Sequence, residues 1–238
     1  MAKPSARPSL RSIAWLCFWA AVILQGYFAL RVLAWTVTTP SSTAFMRAAQ
    51  LRILRGGQDV AWQHAWTPYD RISPWLKRAV VASEDATFLS NDGVDWDAIR
   101  DAWIKNHSWR DERLHRVVGG STITQQLAKN LFLSPQRSYV RKAQELIITF
   151  MLEGILGKRR ILEIYLNSVE WGDGLYGAEA ASQHYFHVPA ARLSPWQAAR
   201  LAVMLPAPRF FQRHLYGPYI NSRTGVIAAR AYDVQIPR

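Results

Sequence analysis

Hydrophobic positions recur along most of this chain with the period of an α-helix. The clearest case is the segment 138–157, where apolar side chains return every three or four positions. Arg141 and Glu145 share one side of this predicted helix, and we assign the opposite, buried side to Ala143, Leu146, Ile147, Phe150, Met151 and Gly154. No strand-like alternation of any length is present. The pattern therefore predicts a mostly α-helical protein.

Capping residues mark further helices. Asp95 is placed to cap a helix that includes Trp103, and Ser194 and Gln197 form a capping box around Pro195. The apolar spacing predicts other helices over 45–56, 74–87, 158–167 and 178–186. The connection 62–74 is irregular in pattern, and the tail 216–238 carries little signal.

The longest apolar run is 13–35, in which Arg31 is the only charged residue. A run of this length can span a bilayer. No clear small-residue cleavage site follows it, so we favour a retained anchor over a cleaved signal peptide. Lys3, Arg7 and Arg11 precede the run and predict a cytoplasmic N-terminus. The chain then divides into a cytoplasmic tail (1–12), a transmembrane anchor (13–35), a juxtamembrane segment (36–60) and an extracytoplasmic domain (61–238).

The juxtamembrane segment carries a basic amphipathic helix. Arg47, Arg52 and Arg55 lie among its apolar residues. Such a helix close to a membrane can rest on anionic headgroups, and an ordinary surface helix fits the same pattern equally well.

The segment GGSTITQQLAKN, residues 119–130, has the composition of a binding surface. Its two glycines can adopt backbone angles closed to other residues, after which Ser121 or Thr122 can cap a helix. On that helix one side carries Ile123, Leu127 and Leu131, and the other carries Thr122, Gln125, Gln126 and Lys129. The polar side suits sugar hydroxyls and an anion such as phosphate. On spacing alone, a solvated face of a well-capped helix is the more common origin of this pattern.

Composition narrows the choice of partner and of site. The 238 residues include 29 Lys and Arg against 17 Asp and Glu, a formal charge of +12 that favours a nucleic acid, an acidic membrane or a phosphorylated substrate as partner.

The length of the chain allows one substantial hydrophobic core. Cys17 is the only cysteine, which excludes an intramolecular disulfide and a cysteine metal cluster. His184 and His187 form a lone i,i+3 pair, so we predict no metal site.

Carboxylates are the remaining candidates for chemistry. Glu84 ends a predicted helix at a turn and Glu145 lies in the middle of another, so two acids from distant parts of the chain could line one cleft, as glycosyl chemistry commonly requires. The spacing also allows a simpler interpretation. Glu84 would then be a solvated helix end, and Glu145 a surface partner of Arg141 in a pair that stabilises the helix by ~0.3 kcal/mol.

Five segments in order resemble the peptidoglycan glycosyltransferases, glycosyltransferase family 51, and in particular their short monofunctional members. They are EDATF (84–88), GGSTITQQLAKN (119–130), RKAQE (141–145), KRRILEIYLN (158–167) and GAEAASQHYF (177–186) with LPAP (205–208). The resemblance runs from about Trp75 to Phe211. It implies a lysozyme-like helical glycosyltransferase domain behind the single N-terminal transmembrane helix.

The resemblance also implies a substrate and a set of roles. The substrate is lipid II, which is joined to the growing glycan strand with inversion at C1 and release of undecaprenyl pyrophosphate. Glu84 would be the general base for the acceptor 4-hydroxyl, and Glu145 a second essential acid near the donor pyrophosphate. The pyrophosphates would be bound by Lys129, Arg141 and Lys142. The rest of the substrate would be held by Thr122, Gln125, Gln126 and Asn130. No cofactor is required, although a divalent cation, Mg²⁺ or Mn²⁺, helps some relatives.

The implied setting is the bacterial inner membrane, with the catalytic domain in the periplasm. The partners are lipid II, the glycan strand and the membrane, with cell-wall or division proteins as candidates and no nucleic acid. The chain departs from the family pattern at Asn91, where a histidine is usual, and at Gln197, where a glutamate is usual. Because a glutamine also completes a capping box, we expect the second change to be structural. Two rival functions are a lytic, glycan-cleaving enzyme and an inactive lipid II-binding scaffold.

Overall fold

The computed structural model describes residues 9–57, 60–108, 120–136 and 138–238, and within these ranges it is mostly helical. Three short strands are present, β1 (Gln63–His64), β2 (Glu170–Gly172) and β3 (Leu175–Tyr176), with 3₁₀ turns at Tyr69–Arg71 and Ala190–Arg192. The helices are α1 (Leu10–Ala34), α2 (Ala44–Gly56), α3 (Pro74–Glu84), α4 (Trp96–Ser108), α5 (Ile123–Phe132), α6 (Tyr139–Ser168), α7 (Ala178–Phe186), α8 (Pro195–Met204), α9 (Pro208–Gln212) and α10 (Pro218–Arg230). The prediction of a mostly α-helical protein is confirmed.

The first helix, α1, has the length and composition of a membrane span. Most of its apolar side chains are exposed, but Phe28 and Val32 in its last turns, and Trp35 directly after it, join the main hydrophobic core. The predicted apolar helix is therefore confirmed, and its C-terminal end is part of the folded domain. Lys3 and Arg7, which predict the orientation, lie outside the described residues.

Two groups of helices form the body of the domain. In one group α5 packs along α6, which also contacts α1. In the other, α3 packs against α8, and α10 covers both. The tail's helix α10 is missing from our prediction because its buried side consists only of Ile220, Thr224 and Ile227, which is too short a series to stand out from its polar neighbours.

The small sheet is also missing from our prediction. Strand β3 pairs in parallel with β1 and antiparallel with β2. Each strand has two or three residues, so none is long enough to show an alternation of polar and apolar positions. The sheet lies beside α7 and α9. It therefore connects the segment of β2 and β3 to the C-terminal part of the chain through the contact between β2 and α9.

Helix α6 contains a break, and the side that it buries is opposite to the side that we assigned. The predicted boundary near residue 157 is confirmed, since Gly157 has φ 69° and ψ 160°, which separates two helical parts. The predicted buried face is wrong. Glu145, Ile148, Thr149 and Leu152 point into the protein, whereas Ile147 and Phe150 are exposed. Helix α6 packs its mixed polar and apolar side against α5 and leaves an apolar side uncovered.

The break at Gly157 provides a test of the fold. Its φ and ψ lie in a region that only glycine occupies readily, and a Cβ added there would have open space within 4 Å. We expect Gly157→Ala to lower the free energy of unfolding by about 1–3 kcal/mol through backbone strain alone. Gly154→Ala is the matched control, because Gly154 is helical, exposed and equally uncrowded. It should raise stability by about 0.5–1 kcal/mol. Equal effects of the two substitutions in denaturant unfolding would contradict this account of the break.

Candidate active site

Glu84 is the last residue of α3 and lies half-buried at its C-terminal end. Helix α3 places it there by burying Leu76, Ala79 and Val80 against the core. Burial raises the pKa of Glu84, while hydrogen bonds from Gln126 and Ser83 and the positive charge of Lys129 partly oppose the increase. A carboxylate of this kind is a stronger proton acceptor than an exposed glutamate.

A chain of hydrogen bonds fixes the direction of that carboxylate. Gln126 Nε2 donates to Glu84 Oε2 at 2.9 Å, and the hydroxyl of Tyr165 donates to Gln126 Oε1 at 2.9 Å. Tyr165 is fully buried in α6, and burial and then the nearby Glu84 raise its pKa. Because the tyrosine hydroxyl occupies the oxygen of the amide, the NH₂ group must face Glu84. Sequence reasoning missed Tyr165, whose only signal is an aromatic with a polar end inside an apolar helix.

Asp85 connects the end of α3 to the start of α5. Its Oδ2 accepts the backbone N–H of Ile123 at 3.0 Å, and its Oδ1 accepts Asn91 Nδ2 at 3.0 Å and Thr87 Oγ1 at 3.2 Å. Burial raises the pKa of Asp85, and these hydrogen bonds partly offset the rise. A carboxylate at a helix N-terminus also benefits from the helix dipole. Sequence reasoning missed this residue, although it follows Glu84 directly.

Asn91, which lies where the family pattern described above has a histidine, uses both ends of its carboxamide. In addition to the bond to Asp85, its Oδ1 accepts the N–H of Gly93 at 2.9 Å and Lys158 Nζ at 3.3 Å. Lys158 also pairs with Glu153 at 2.7 Å, and that glutamate accepts the hydroxyl of Thr124 on α5. The asparagine therefore belongs to a polar network that links the loop after α3 to α5 and α6.

The predicted polar face of the segment 119–130 is only partly correct. Ile123, Leu127 and Leu131 are buried as expected, but Thr122 and Gln125 are buried as well. These two form a capping box at the start of α5, and Thr122 Oγ1 also donates to the carbonyl of Gly93 at 2.6 Å. Gln126, Lys129 and Asn130 remain partly accessible.

The glycines at the start of that segment have a steric role. A Cβ on Gly120 would lie 2.9 Å from the carbonyl oxygen of Ala98, and Gly120 has no positive φ. Gly120 is therefore needed for the close approach to α4. Gly119 lies outside the described residues.

Two cavities meet at the pair formed by Glu84 and Gln126. The first, of about 150 Å³, is lined by Phe45, Gln126, Lys129, Asn130, Tyr165, Ser168, Val169, Glu170, Tyr176, Leu205 and Pro208. The second, of about 190 Å³, is lined by Glu84, Asp85, Ala86, Thr87, Asp95, Ala98, Gly120, Ser121 and Thr122. Since Gln126 lines the first and bonds to Glu84 in the second, this pair stands between them. A group bound in the second cavity can therefore contact the Glu84 carboxylate, and a group bound in the first cavity can contact Gln126, which orients that carboxylate.

The basic helix α2 contributes to the wall of the first cavity. Phe45 lines it, with Lys129 Nζ 5.6 Å from the centre of the phenylalanine ring. Arg52, which we considered for membrane contact, pairs with Asp173 at 2.6 Å. Arg47 and Arg55 are exposed. The helix is thus held to the domain by at least one of its arginines.

Glu145 forms a separate charged cluster on α6. Its side chain is buried, and it pairs with Arg141 Nη1 at 2.7 Å and with Lys142 Nζ. The Nε of Arg141 is buried and has no hydrogen-bond partner among the described residues. Glu145 lines neither of the two cavities. The structure therefore brings Glu84, Gln126, Lys129 and Asn130 together and keeps Glu145, Arg141 and Lys142 as a cluster of their own.

Among the described residues, no group of three or more histidine, cysteine, aspartate and glutamate side chains is placed to hold a metal ion. Gln197 completes the capping box of α8 with Ser194, which confirms the predicted capping box. His184 and His187 lie near the end of α7.

Comparisons with known proteins identify the family of this chain. A family model described as transglycosylase matches residues 53–231. Proteins named biosynthetic peptidoglycan transglycosylase are similar over most of their length. The one from Burkholderia thailandensis is 53% identical, covering 98% of this chain and 92% of its own length. Those from Burkholderia pseudomallei and Burkholderia vietnamiensis are 52% and 54% identical, covering 99% and 90% of this chain and 93% and 86% of their own. The chain belongs to the transglycosylase family of glycosyltransferases.

Proposed function

We propose that this protein polymerises glycan strands from lipid II for bacterial cell-wall synthesis. Lipid II is the acceptor, and the growing strand, still linked to undecaprenyl pyrophosphate, is the donor. The observation that carries this assignment is the Glu84 carboxylate, oriented by Gln126 between two cavities with Lys129 close by. The names of the relatives support the same class of substrate.

In the proposed reaction Glu84 acts as general base. The carboxylate accepts the proton of the acceptor 4-hydroxyl, and that oxygen attacks C1 of the donor sugar. The bond from C1 to the pyrophosphate oxygen breaks, the lipid pyrophosphate leaves with the electron pair, and C1 is inverted. The reaction requires Glu84 to be ionised. The hydrogen bond from Gln126 and the charge of Lys129 favour that form against the effect of burial.

The three candidate cations would stabilise the leaving group. Lys129 lines the first cavity, and Arg141 and Lys142 are held in fixed positions by Glu145. Negative charge develops on the pyrophosphate as the bond breaks, so preorganised cations lower the barrier. We therefore propose that Glu145 orients the two cations, since it lies outside both cavities.

The polar residues of α5 divide into two proposed roles. Gln126 and Asn130 line the first cavity and would contact the substrate. Thr122 and Gln125 use their side chains in the capping box, so their contribution to substrate binding would be to hold the loop that precedes α5. Mg²⁺ or Mn²⁺ could add positive charge beside the pyrophosphate, and the proposed steps need only the side chains.

The proposed location is the inner membrane, with the domain in the periplasm. Helix α1 supplies the anchor, and Arg11 at its start is consistent with a cytoplasmic N-terminus. Cell-wall or division proteins remain predicted partners.

Labelled lipid II distinguishes the proposed synthase from a lytic enzyme. The purified protein should convert lipid II into long glycan chains and should leave added peptidoglycan intact. Shortening of peptidoglycan without formation of polymer would establish the lytic alternative. The cationic residues support the synthase, because cleavage of a glycan releases no pyrophosphate.

Substitution of the proposed base should remove turnover. We expect Glu84→Gln to reduce kcat for polymerisation by about 10²- to 10⁴-fold, because the amide can still accept the Gln126 hydrogen bond but cannot take a proton. Asp233→Asn, at an exposed carboxylate far along the chain, is the control and should keep full activity. Equal, negligible turnover in the wild type and Glu84→Gln would favour the inactive scaffold.

The pH dependence of kcat/KM should be sensitive to the hydrogen bond from Gln126 to Glu84. Because that bond stabilises the ionised form, Gln126→Leu should raise the pKa of Glu84 further. Loss of activity on acidification should then begin at a higher pH, so the acid limb of kcat/KM moves upward. Gln183→Leu, at an exposed glutamine on α7, should leave the limb in place. If the acid limb of kcat/KM in Gln126→Leu stayed in place or moved to lower pH, Glu84 would not be the titrating group.

Neutralising Glu145 should disturb the cation cluster without unfolding the protein. We expect Glu145→Gln to lower polymerisation at least about 100-fold, because Arg141 and Lys142 lose the charge that fixes them. Circular dichroism should remain that of the wild type. The control is Asp101→Asn on the exposed side of α4. If Glu145→Gln retained activity, Glu145 would have no role in catalysis.

A further inference from the structure

Arg200 is a buried cation of α8 for which the described part of the chain offers no carboxylate partner. The residue is 6% exposed. Its Nη1 donates to the carbonyl of Leu215 at 3.3 Å and its Nη2 to Asn221 Oδ1 at 2.7 Å, while its Nε is buried and has no hydrogen-bond partner among the described residues. It forms no ion pair with a described carboxylate. Buried charges are usually paired with an opposite charge, so the described chain leaves this positive charge unbalanced.

Two exposed aromatic rings flank the guanidinium of Arg200. Its Cζ lies 4.8 Å from the ring centre of Tyr216 and 6.0 Å from that of Trp196. Tyr216 is 68% exposed and Trp196 is 47% exposed. The rings attract the cation through their π faces, but they carry no net negative charge. The positive charge therefore lies beneath a surface that the two aromatic residues form.

Helix α10 completes this surface. A Cβ added to Gly225 would lie 3.8 Å from the ring of Trp196, so α10 passes beside that ring. Ser222, Val226 and Arg230 follow one another at intervals of four residues and are exposed, so they form one outward stripe of α10 next to Gly225. We call the whole surface the Arg200 patch, which consists of Trp196, Arg200, Tyr216, Ser222, Val226 and Arg230.

The segment that contains the patch is strongly basic. Residues 190–238 include seven arginines and one acidic side chain, Asp233, and thus carry half of the formal charge of +12. Of these arginines, Arg209 alone forms an ion pair with a described carboxylate, that of Glu170. The segment therefore offers positive charge to a partner.

We propose that the Arg200 patch binds an acidic segment of another protein. Carboxylates of that segment approach Arg200 and Arg230. An apolar side chain of the segment packs against Trp196, Tyr216 and Val226. Trp, Tyr and Arg are the residue types that most often dominate the binding energy of protein interfaces, and the carboxylates balance the charge that the described chain leaves unbalanced.

The geometry of Arg200 favours a protein segment over a layer of anionic lipid. Its guanidinium is recessed between two rings and fixed by two hydrogen bonds. Anionic headgroups attract exposed cations at the membrane surface and require no such fixed geometry. A planar, fixed guanidinium suits a carboxylate that a folded or ordered segment places in one position.

The Arg200 patch is separate from the candidate active site. None of its residues lines either of the two cavities beside Glu84 and Gln126. Leu205, which follows α8, lines the first cavity, whereas Trp196 lies nine residues earlier, about 13 Å away along the helix axis. A partner on the patch thus leaves the cavities open, and binding there does not depend on the proposed function.

Peptide selection tests the chemistry of the partner. The full-length protein in phosphatidylcholine nanodiscs is used to select from a phage library of short random peptides, and the selected peptides are synthesised with a fluorescent label. They should be rich in Asp and Glu around an apolar residue. A selection without enrichment of acidic residues would overturn the proposal.

A matched pair of substitutions locates the binding of these peptides. Val226→Glu should weaken binding at least about tenfold by repelling their carboxylates, whereas Val226→Lys should keep or strengthen it. Tyr216→Ala should weaken binding about tenfold through loss of an aromatic contact. Gln50→Glu makes the same charge change at an exposed position on α2 and should stay within about twofold of the wild type. Equal weakening by Val226→Glu and Gln50→Glu would reveal diffuse attraction to a basic protein and overturn the patch.

The buried charge is tested with Arg200→Gln, which keeps a polar side chain at the same position. Binding of the selected peptides should fall at least about tenfold, in a variant whose circular dichroism matches that of the wild type. Unchanged binding in the folded variant would overturn the role of Arg200. If Arg200→Gln does not fold, the pair of substitutions at Val226 still decides the location of the patch.

Two further measurements address other occupants of the patch. Cys17 is the only cysteine, so Cys17→Ser provides a background for a single bimane label at Val226→Cys. Nitroxide-labelled lipids should leave this label unquenched, and strong quenching would assign the patch to the membrane instead. Sedimentation in detergent should show no self-association that Val226→Glu abolishes. Such self-association would make a second copy of this chain the occupant and overturn the proposal.

Discussion

The site depends on the hydrogen bonds that the Asp85 carboxylate accepts. This carboxylate closes the N-terminus of α5 by accepting the backbone N–H of Ile123, while Asn91 and Thr87 hold its other oxygen. A buried carboxylate is tolerated only when its hydrogen bonds are satisfied, and these three donors come from two segments that are distant in sequence. Because Glu84 is the neighbouring residue, the same contact places the proposed base against α5 and its Gln126.

A second layer of contacts makes this arrangement rigid. Thr122 ties the start of α5 to the carbonyl of Gly93, and Tyr165 fixes the amide of Gln126 from the opposite side. Preorganised dipoles of this kind contribute to catalysis because they need not reorient as charge develops. The substitution of asparagine for the usual histidine at position 91 is consistent with this requirement. A carboxamide supplies both a donor for Asp85 and an acceptor for Gly93 without titrating near neutral pH.

The sequence was informative where a signal is local. Helix caps such as Asp95 and Ser194 and the long apolar run of α1 could be recognised because the pattern lies within a few residues. The role of Asp85 and that of the buried Tyr165 hydroxyl depend on contacts between distant segments, which no local pattern encodes. The side of α6 that is buried was assigned wrongly for a related reason. Its apolar side chains, including Ile147 and Phe150, are exposed, and apolar periodicity does not distinguish a buried side from an exposed apolar side.

In the proposed mechanism the acceptor hydroxyl meets Glu84 while the donor pyrophosphate meets Arg141 and Lys142. A high-resolution structure of Glu84→Gln in a lipid nanodisc, with lipid II and a lipid-linked glycan bound, tests this arrangement directly. The acceptor 4-oxygen should lie within hydrogen-bond distance of residue 84, and the pyrophosphate oxygens should contact the cations held by Glu145. A pyrophosphate bound away from these cations, or a sugar that leaves residue 84 without contact, would contradict it.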